Sequence, residues 1–474
     1  MQLLFLAIVH VCTWNKPMPV LDNTALPDQL HTLCRHIGNA GGHAWLVGGC
    51  VRDLILGIQP KDFDLEVYGL QPKTLKATLD QCGKTALVGR HFGVYKLWLD
   101  RFEIDVAMPR AESKSGSGHR GFEVSIDPNL PPETASLRRD FSINAMMLDP
   151  LDDQLMDFYG GIKDLKNRIL RHVSHAFHED PLRPLRAIQF AARFRLKMAK
   201  ETAALCQSML KEADTLSKER IWCEWQKWSH ASYPSFGLQA LRDSGWILRY
   251  PQLQVLIDCP QAPRWHPEGD VWNHTLQVCD QAARIAVKND LDDNTTEYLM
   301  FSSLCHDFGK PACTALNESG NITSPAHSEA GIAPARRFMG NIGAPSRLFE
   351  YIQPLILDHI THLHGEPTPR AVRRLSHRLE PANIELWEML VEADASGRSP
   401  APPCRPALTW LQRASELNHH RSSPPAIVNG KLLLRMGINP GPEMGRIIQL
   451  AYMAQLEGAF EDEASGSAWL KKHC

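Results

Sequence analysis

Two carboxylates one residue apart, Asp62 and Asp64, open the segment DFDLEVYG (62–69), whose alternating side chains predict a strand. On a strand, residues i and i+2 share a face, so the two acids repel each other unless a cation lies between them. Such oxygen ligands suit Mg2+, which takes one or two carboxylates together with substrate phosphates. Asp105, in the next predicted pair of strands, offers a third oxygen ligand. Upstream, Gly48 and Gly49 let the backbone approach a phosphate closely. Arg52 follows at the start of a predicted helix, whose first amides also favour anions. Alone, an Asp-X-Asp pair reads more simply as a solvated strand face and a Gly-Gly pair as a turn. The order of strand, Gly-Gly, helix with Arg, then strand with the acid pair points instead to metal-assisted chemistry on a phosphorylated substrate.

A second set of candidate ligands is His274, the adjacent His306 and Asp307, His327, His359 and Asp394. Imidazole and carboxylate together bind divalent transition metals well. His362, His364, His419 and His420 read as surface residues. The 12 cysteines include no CxxC pair, and Cys305 and Cys313 are the nearest two, so a thiolate zinc site is not indicated. Scattered thiols in a chain this large fit a reducing cytoplasm better than a disulfide framework.

The elements that must position these groups follow from the pattern. At roughly 150 residues per domain, 474 residues suggest about three domains. A composition 43% hydrophobic and 22% charged excludes wholesale disorder. A helix is predicted over 27–41, a short strand over 44–49 running into the Gly-Gly turn, a helix over 51–57, and a hairpin over 93–108. The Gly/Ser-rich, basic stretch SKSGSGHRG (113–121) reads as a mobile loop. From Gly161 onward strands nearly vanish, so the architecture is α+β followed by an all-α remainder. Linkers are expected near 233–235 and 399–406, and the tail DEASGSAWLKKHC reads as frayed. The apolar start, MQLLFLAIVHVCTW, is far shorter than the roughly 20 residues that span a bilayer and lacks a basic n-region and cleavage site. Residues 1–17 read as an extension outside the fold, with a weak membrane anchor as the other reading. The net charge of -2 conceals an asymmetry: residues 1–159 carry 15 Lys and Arg against 19 Asp and Glu, and residues 160–227 carry 14 against 8. The basic middle is either a solvated helical surface or a track for a polyanion, and charge alone does not choose.

LVGGCVRDLILG (46–57) followed by KDFDLEV (61–67) closely resembles the class II tRNA nucleotidyltransferases, the CCA-adding enzymes and the related bacterial poly(A) polymerases. The resemblance continues, in the family's order, through SLRRDFSINAM (136–146), DFYGGIKDLKNRILRHV (157–173), EDPLRPLRAIQFAARF (179–194) and SKERIWCEW (217–225). It implies a mixed-sheet nucleotidyltransferase palm with Asp62 and Asp64 as Mg2+ ligands and Asp105 as a third carboxylate. It further implies that Gly48, Gly49, Arg52, Arg139 and Arg186 meet the nucleotide. Asp180 and Arg183 would read the incoming base, a carboxylate accepting from an exocyclic amine and a guanidinium donating to ring acceptors. Their i, i+3 spacing would put them on one helix face, although Pro181 and Pro184 both intrude. Gln189 stands where many relatives carry a further arginine. LVGRHFGVYKL (87–97) departs at His91 and Tyr95 from the poly(A) polymerase signature, while the 113–122 segment resembles the flexible loop of CCA-adding enzymes.

The order His274, His306-Asp307, His327, His359, Asp394 resembles the HD phosphohydrolase superfamily, in which a metal-activated water cleaves phosphoesters. The resemblance implies an additional divalent transition metal such as Ni2+ or Mn2+, and phosphatase, 2′-nucleotidase and 2′,3′-cyclic phosphodiesterase activities. The expected layout is an extension (1–17), a palm (18–158), a helical neck binding the base and tRNA (159–265), an HD domain (266–400) and a helical C-terminal region (401–474). The implied partners are tRNA, CTP and ATP, with no membrane, in a cytoplasmic monomer or homodimer. Two rivals remain: a poly(A) polymerase, and an HD hydrolase whose palm serves as an RNA-binding module.

Overall fold

The computed structural model describes residues 26–88, 93–99, 102–114, 122–398, 400 and 402–473. The N-terminal extension, His91 and most of the 113–121 loop lie outside the described residues. The chain forms two compact units, one made of residues up to 220 with 236–246, the other of 221–235 with the residues from 247 onward.

The first unit is built on a seven-stranded mixed sheet. In chain order its helices and strands begin with α1 (Asp28–Asn39), β1 (His43–Val47), α2 (Gly49–Ile55), β2 (Phe63–Tyr68) and α3 (Pro72–Cys82). They continue with β3 (Lys84–Val88), β4 (Val94–Leu99), β5 (Phe102–Ala107), β6 (Arg110–Lys114), β7 (Phe122–Ile126), β8 (Met147–Leu148) and β9 (Leu155–Met156). The sheet order is β3-β4-β5-β2-β1-β8-β9. Its β4–β5 hairpin is the one expected over 93–108. Only β2 and β5 run parallel within this sheet. Leu46, Leu65, Val67, Leu97, Ile104 and Val106 are essentially inaccessible to solvent, each adding about 1.5–3 kcal/mol of hydrophobic stabilisation. That core pins the register, because a one-residue slip would turn every apolar side chain outward.

The sequence placed a loop over 113–121. The structure keeps Ser113 and Lys114 in β6, opposite Glu123 and Phe122 of β7. Backbone pairing from Arg110 opposite Ile126 to Lys114 opposite Phe122 carries the hairpin leg into the segment that its Gly/Ser content marked as loop. A second correction concerns Asp180. It is not helical: its backbone is extended (φ −112°, ψ 108°), and the helix α4 runs from Arg183 to Phe194. Pro181 is the cause, since the residue before a proline is driven out of the α region. Asp180 and Arg183 therefore do not share a helix face.

The second unit is helical. Its principal helices are α5 (Val271–Lys288), α6 (Asp293–Cys305), α7 (His327–Ile342), α8 (Ser346–Asp358) and α9 (Ile384–Ser396). Asp270, Asp292 and Asn383 cap α5, α6 and α9 by accepting from backbone amides three residues on. Trp225, Tyr250, Phe308 and Phe338 meet edge to face in its core. The tail is not frayed as expected: Glu463–His473 is a helix. Asp462 accepts from the Ser465 amide at 2.8 Å, and Leu470 packs with Phe460, Leu433 and Ile447. The ten described cysteines are all free thiols, and no helix among the described residues is long and apolar enough to cross a membrane.

Candidate functional site

Two sites emerge, one in each unit. In the first, β1 ends at Gly48, which turns the chain into α2 with φ +78°. A Cβ on Gly48 would lie 3.3 Å from Arg139 Nη1 and 3.4 Å from Asp64 Oδ2. Glycine therefore leaves open the space between a guanidinium and a carboxylate. The parallel pairing of β2 with β5 sets Asp64 directly opposite Asp105. Asp62 lies in the bend just before β2, one residue outside the strand, and both it and Asp64 are exposed. Asp105 Oδ1 is buried without a hydrogen-bond partner, an orphan acceptor that a cation satisfies. Asp64 is open to solvent yet crowded by protein. That crowding, then Asp105 and Asp62, raises its carboxyl to about 6 against the pull of Arg139. The donor set thus fits a hard divalent cation.

Sequence reasoning missed Glu66. This carboxylate, two residues beyond Asp64, is wholly buried and lies 2.6 Å from Arg138 Nη2 and 3.7 Å from Arg139 Nη2. The Tyr68 hydroxyl donates to it at 3.0 Å. Burial works to raise its pKa, but the two guanidiniums and the hydrogen bonds outweigh burial and lower it. Glu66 thereby anchors Arg139 beside Asp64. The clue was a third acid at the same spacing, answered by the paired arginines of SLRRD.

The remaining nucleotide-site candidates are tied to the protein. Arg52 is buried, donates to Asn144 Oδ1 at 2.6 Å and to Asp53 Oδ1 at 2.7 and 2.9 Å, and lies 4.2 Å above the Phe194 ring. Gly49 faces that guanidinium, since a Cβ there would lie 3.4 Å from Arg52 Nη2. Asp180 pairs with Arg220 Nη2 at 3.0 and 3.1 Å. Arg183 donates to the carbonyls of Ala176 and Arg138 at 2.7 and 2.6 Å. Arg186 pairs with the buried Asp140 at 2.7 Å. Gln189 is buried, accepting from Arg193 Nη1 at 3.5 Å.

In the second unit the structure gathers all six His and Asp candidates. His274 comes from α5, His306-Asp307 from the end of α6, His327 from the first turn of α7, His359 from the end of α8 and Asp394 from α9. Each histidine is fixed through Nδ1: His306 on Ser303 O, His327 on Ser324 O and His359 on Ile356 O at 2.8, 2.8 and 2.6 Å, and His274 on Glu268 Oε1 at 2.8 Å. Carbonyls and carboxylates only accept, so each Nδ1 carries a proton, and each ring when neutral presents an Nε2 lone pair inward. His327 Nε2 and His359 Nε2 then face each other at 3.1 Å as two acceptors, an arrangement a cation relieves. His274 Nε2 is 2.9 Å from Asp394 Oδ1, and His306 Nε2 is 3.1 Å from Asp307 Oδ2. His306 Nε2 and both Asp307 oxygens are buried without hydrogen bonds of proper geometry, although Lys310 Nζ lies 2.7 Å from Asp307 Oδ2. Two triads, His274-His306-Asp394 and Asp307-His327-His359, each bring three ligand atoms within 4.8 Å of one another. These donors fit a divalent transition metal.

The electrostatics divide the imidazoles: burial works to lower the pKa of His306, but Asp307 and Asp394 outweigh it and raise it. Burial holds His359 down at about 3, assisted by His306 and His327, and so keeps it neutral. Burial opposes ionisation of Asp307 and Asp394, but the surrounding histidines and cations win and hold both well below the usual carboxylate range. Gly309 makes the assembly possible. A Cβ there would stand 1.9 Å from His327 O and 2.6 Å from the Gly331 amide, so only glycine lets the turn after Asp307 lie against α7. Glu268, His266 and Lys310 were missed by sequence reasoning. WHPEGD and HDFGK carry them, but nothing local says that they reach the cluster. His362, His419 and His420 are half-buried rather than on the open surface; His364 is exposed.

Residues 44–171 match the family model described as poly A polymerase head domain. A multifunctional CCA protein of Vibrio parahaemolyticus is 35% identical over 366 residues, which cover 75% of this chain and 85% of the relative. One from Xanthomonas campestris pv. campestris is 33% identical over 437 residues, covering 88% of this chain and 98% of the relative. The chain belongs to the multifunctional CCA protein family. Among solved structures, the Bacillus stearothermophilus CCA-adding enzyme in complex with CTP shares the fold at a TM-score of 0.65 and 20% identity, covering 94% of this chain and 98% of that one. The Thermotoga maritima CCA-adding enzyme complexed with tRNA shares it at 0.56 and 18%, covering 94% and 96%. The α+β head and helical remainder read from the sequence are thus the architecture of this family.

Proposed function

We propose that this chain adds CCA to tRNA 3′ ends from CTP and ATP, without a nucleic-acid template, and that its histidine–aspartate cluster hydrolyses phosphoesters. The observation that carries the first activity is the facing of Asp64 and Asp105 across β2 and β5, beside the gap that Gly48 leaves next to Arg139. Asp62, Asp64 and Asp105 would hold Mg2+, which when bound supplies charge neutralisation to a phosphoryl transfer. The tRNA 3′-hydroxyl attacks the α-phosphorus of CTP twice and then of ATP, releasing pyrophosphate each time. Arg139, anchored by Glu66, takes triphosphate oxygens at the Gly48–Gly49 turn, with Arg52 and Arg186 behind it. Asp180 and Arg183 read the base once Asp180 releases Arg220. The basic 160–227 segment holds the acceptor stem through phosphate and shape contacts.

The second activity is supported by the inward Nε2 atoms and the orphaned Asp307 oxygens. His274, His306, Asp307, His327, His359 and Asp394 would hold a transition metal such as Ni2+ or Mn2+, which when bound supplies Lewis-acid activation. The reading places phosphatase, 2′-nucleotidase and 2′,3′-cyclic phosphodiesterase activity there, in a cytoplasmic protein with palm, neck, HD and C-terminal regions at 18–158, 159–265, 266–400 and 401–474. One observation favours a second reading: the matched family model is that of a poly(A) polymerase head. Incubation with tRNA lacking its CCA end separates the two. Two C additions followed by one A support the proposal; a long A tail refutes it.

A further inference from the structure

The loop that precedes α5 connects the histidine–aspartate cluster to the surface. Its base is pinned: Glu268 bonds both His266 and His274 Nδ1, at 2.9 and 2.8 Å, and the His266 ring meets the His274 ring edge-on at 4.7 Å. One residue before His266, the amide of Trp265 donates to Ala262 O at 2.9 Å, and the indole is 58% exposed. The Arg264 guanidinium lies 4.9 Å from the centre of that ring. A single exposed indole is common on protein surfaces. This one sits on a backbone held rigidly to a cluster ligand and is flanked by a cation.

Arg398, two residues beyond the end of α9, reaches the same cluster. Its Nη2 is 3.8 Å from Asp394 Oδ1, its Nε is buried without a hydrogen-bond partner, and its side chain is still 32% exposed. Asp394 Oδ1 in turn lies 2.9 Å from Nε2 of His274, whose ring meets that of His266. The position is fixed by Gly397, where a Cβ would lie 2.6 Å from Val278 Cγ2 and 3.1 Å from the Val278 amide, so α9 ends against α5. A part-exposed guanidinium whose nearest carboxylate oxygen is 3.8 Å away suits a phosphate oxygen. An indole flanked by an arginine suits the face of a nucleobase.

We infer that Arg398 and Trp265 form a substrate subsite at the rim of the cluster, Arg398 taking a phosphate oxygen and Trp265 stacking on the base of a nucleoside phosphate. The inference rests on reading the cluster as a phosphohydrolase, and it adds the residues that would make that hydrolase prefer nucleotides. The ligand is either a free nucleotide or the 3′-terminal nucleotide of an RNA, since both carry the same base and phosphate.

The test uses the full chain labelled with 5-fluorotryptophan, with the Trp265 fluorine resonance assigned by its loss in W265F. Adenosine 2′-monophosphate should move that resonance and glycerol 2-phosphate should not. A short RNA ending in a 2′-phosphate is titrated in parallel: movement by the mononucleotide assigns a free nucleotide, and movement by the RNA alone assigns an RNA end. In R398A the same movement should need about tenfold more ligand, the effect of one charged phosphate contact. In hydrolysis, W265A should raise KM for adenosine 2′-monophosphate about tenfold, the effect of one stacked base, with kcat and glycerol 2-phosphate hydrolysis unchanged, and W265F should restore it. A Trp265 resonance that neither nucleotide ligand moves overturns the subsite. So does a W265A defect equal for both esters, because that would mark a structural role. Movement of the resonance in a protein that hydrolyses no ester would sustain the subsite while refuting the hydrolase reading.

Discussion

The two candidate sites would hold a cation in opposite ways. In the palm, Asp62 and Asp64 stand exposed at the start of one strand and Asp105 on its neighbour, so sheet register sets their spacing. In the second unit, ligands from five helices are buried, and each imidazole is locked through its other nitrogen. The palm therefore suits an ion that arrives and leaves with a nucleotide, as Mg2+ does. The cluster suits an ion held by the protein itself, with its surroundings tuned in advance. The contrast also explains why a single glycine serves different ends. Gly48 makes a left-handed turn with Arg139 and Asp64 close against it, and Gly309 brings two segments into van der Waals contact.

The largest expected effects break one site and leave the other. Gly309→Ala should abolish retention of transition metal, measured by elemental analysis after gel filtration, while CCA addition persists; unchanged metal content would contradict the close approach. Asp62→Ala should eliminate addition and spare ester hydrolysis, and His306→Ala should do the reverse. Loss of both activities in either variant would end the idea of independent sites.

A smaller effect is expected at Glu66. Removing one charge of a buried pair typically costs about 3–5 kcal/mol. Glu66→Gln keeps the shape but leaves Arg138 without its carboxylate, so it should lower the melting temperature by several degrees and raise KM for CTP more than it lowers kcat. An equal fall in both parameters would mean that Glu66 supports the sheet rather than Arg139.

The smallest effect concerns pH. Asp64 has a carboxyl raised to about 6, so protons compete with Mg2+ as pH falls through that value. The Mg2+ concentration for half-maximal addition should climb by roughly tenfold per pH unit below it. His359 is held at about 3 and stays neutral over the same range, whereas Asp307 and Asp394 raise His306 against the effect of burial, so metal retained by the cluster should fall with pH through His306 and not through His359. A cluster that keeps all its metal from pH 7 to 5 would contradict that role for His306.

Much of this was legible in the sequence because short spacings survive folding. The strand that carries Asp64 and the β4–β5 hairpin follow from side-chain alternation and the turn from the Gly-Gly pair, whereas Asp62 falls one residue outside the strand expected to hold it. The six residues that the cluster gathers were legible by type and order. Non-local partners were not. Glu66 looks like one more solvent-facing acid until Arg138 and Arg139 cover it, and Glu268 is an ordinary loop residue until the loop folds onto His274. Asp180 was misread through its i, i+3 spacing to Arg183, although Pro181 already forbade the helix there. The tail was misread because its polar composition hides Leu470, which has a core to join only after the C-terminal helices assemble.

The most direct test of the central claim is extension of a tRNA that lacks its terminal CCA, with CTP and ATP supplied separately and together. The account predicts two additions with CTP alone and one further A when both are present, all lost in Asp62→Ala. A poly(A) tail, or no extension by a protein that still cleaves phosphoesters, would contradict it.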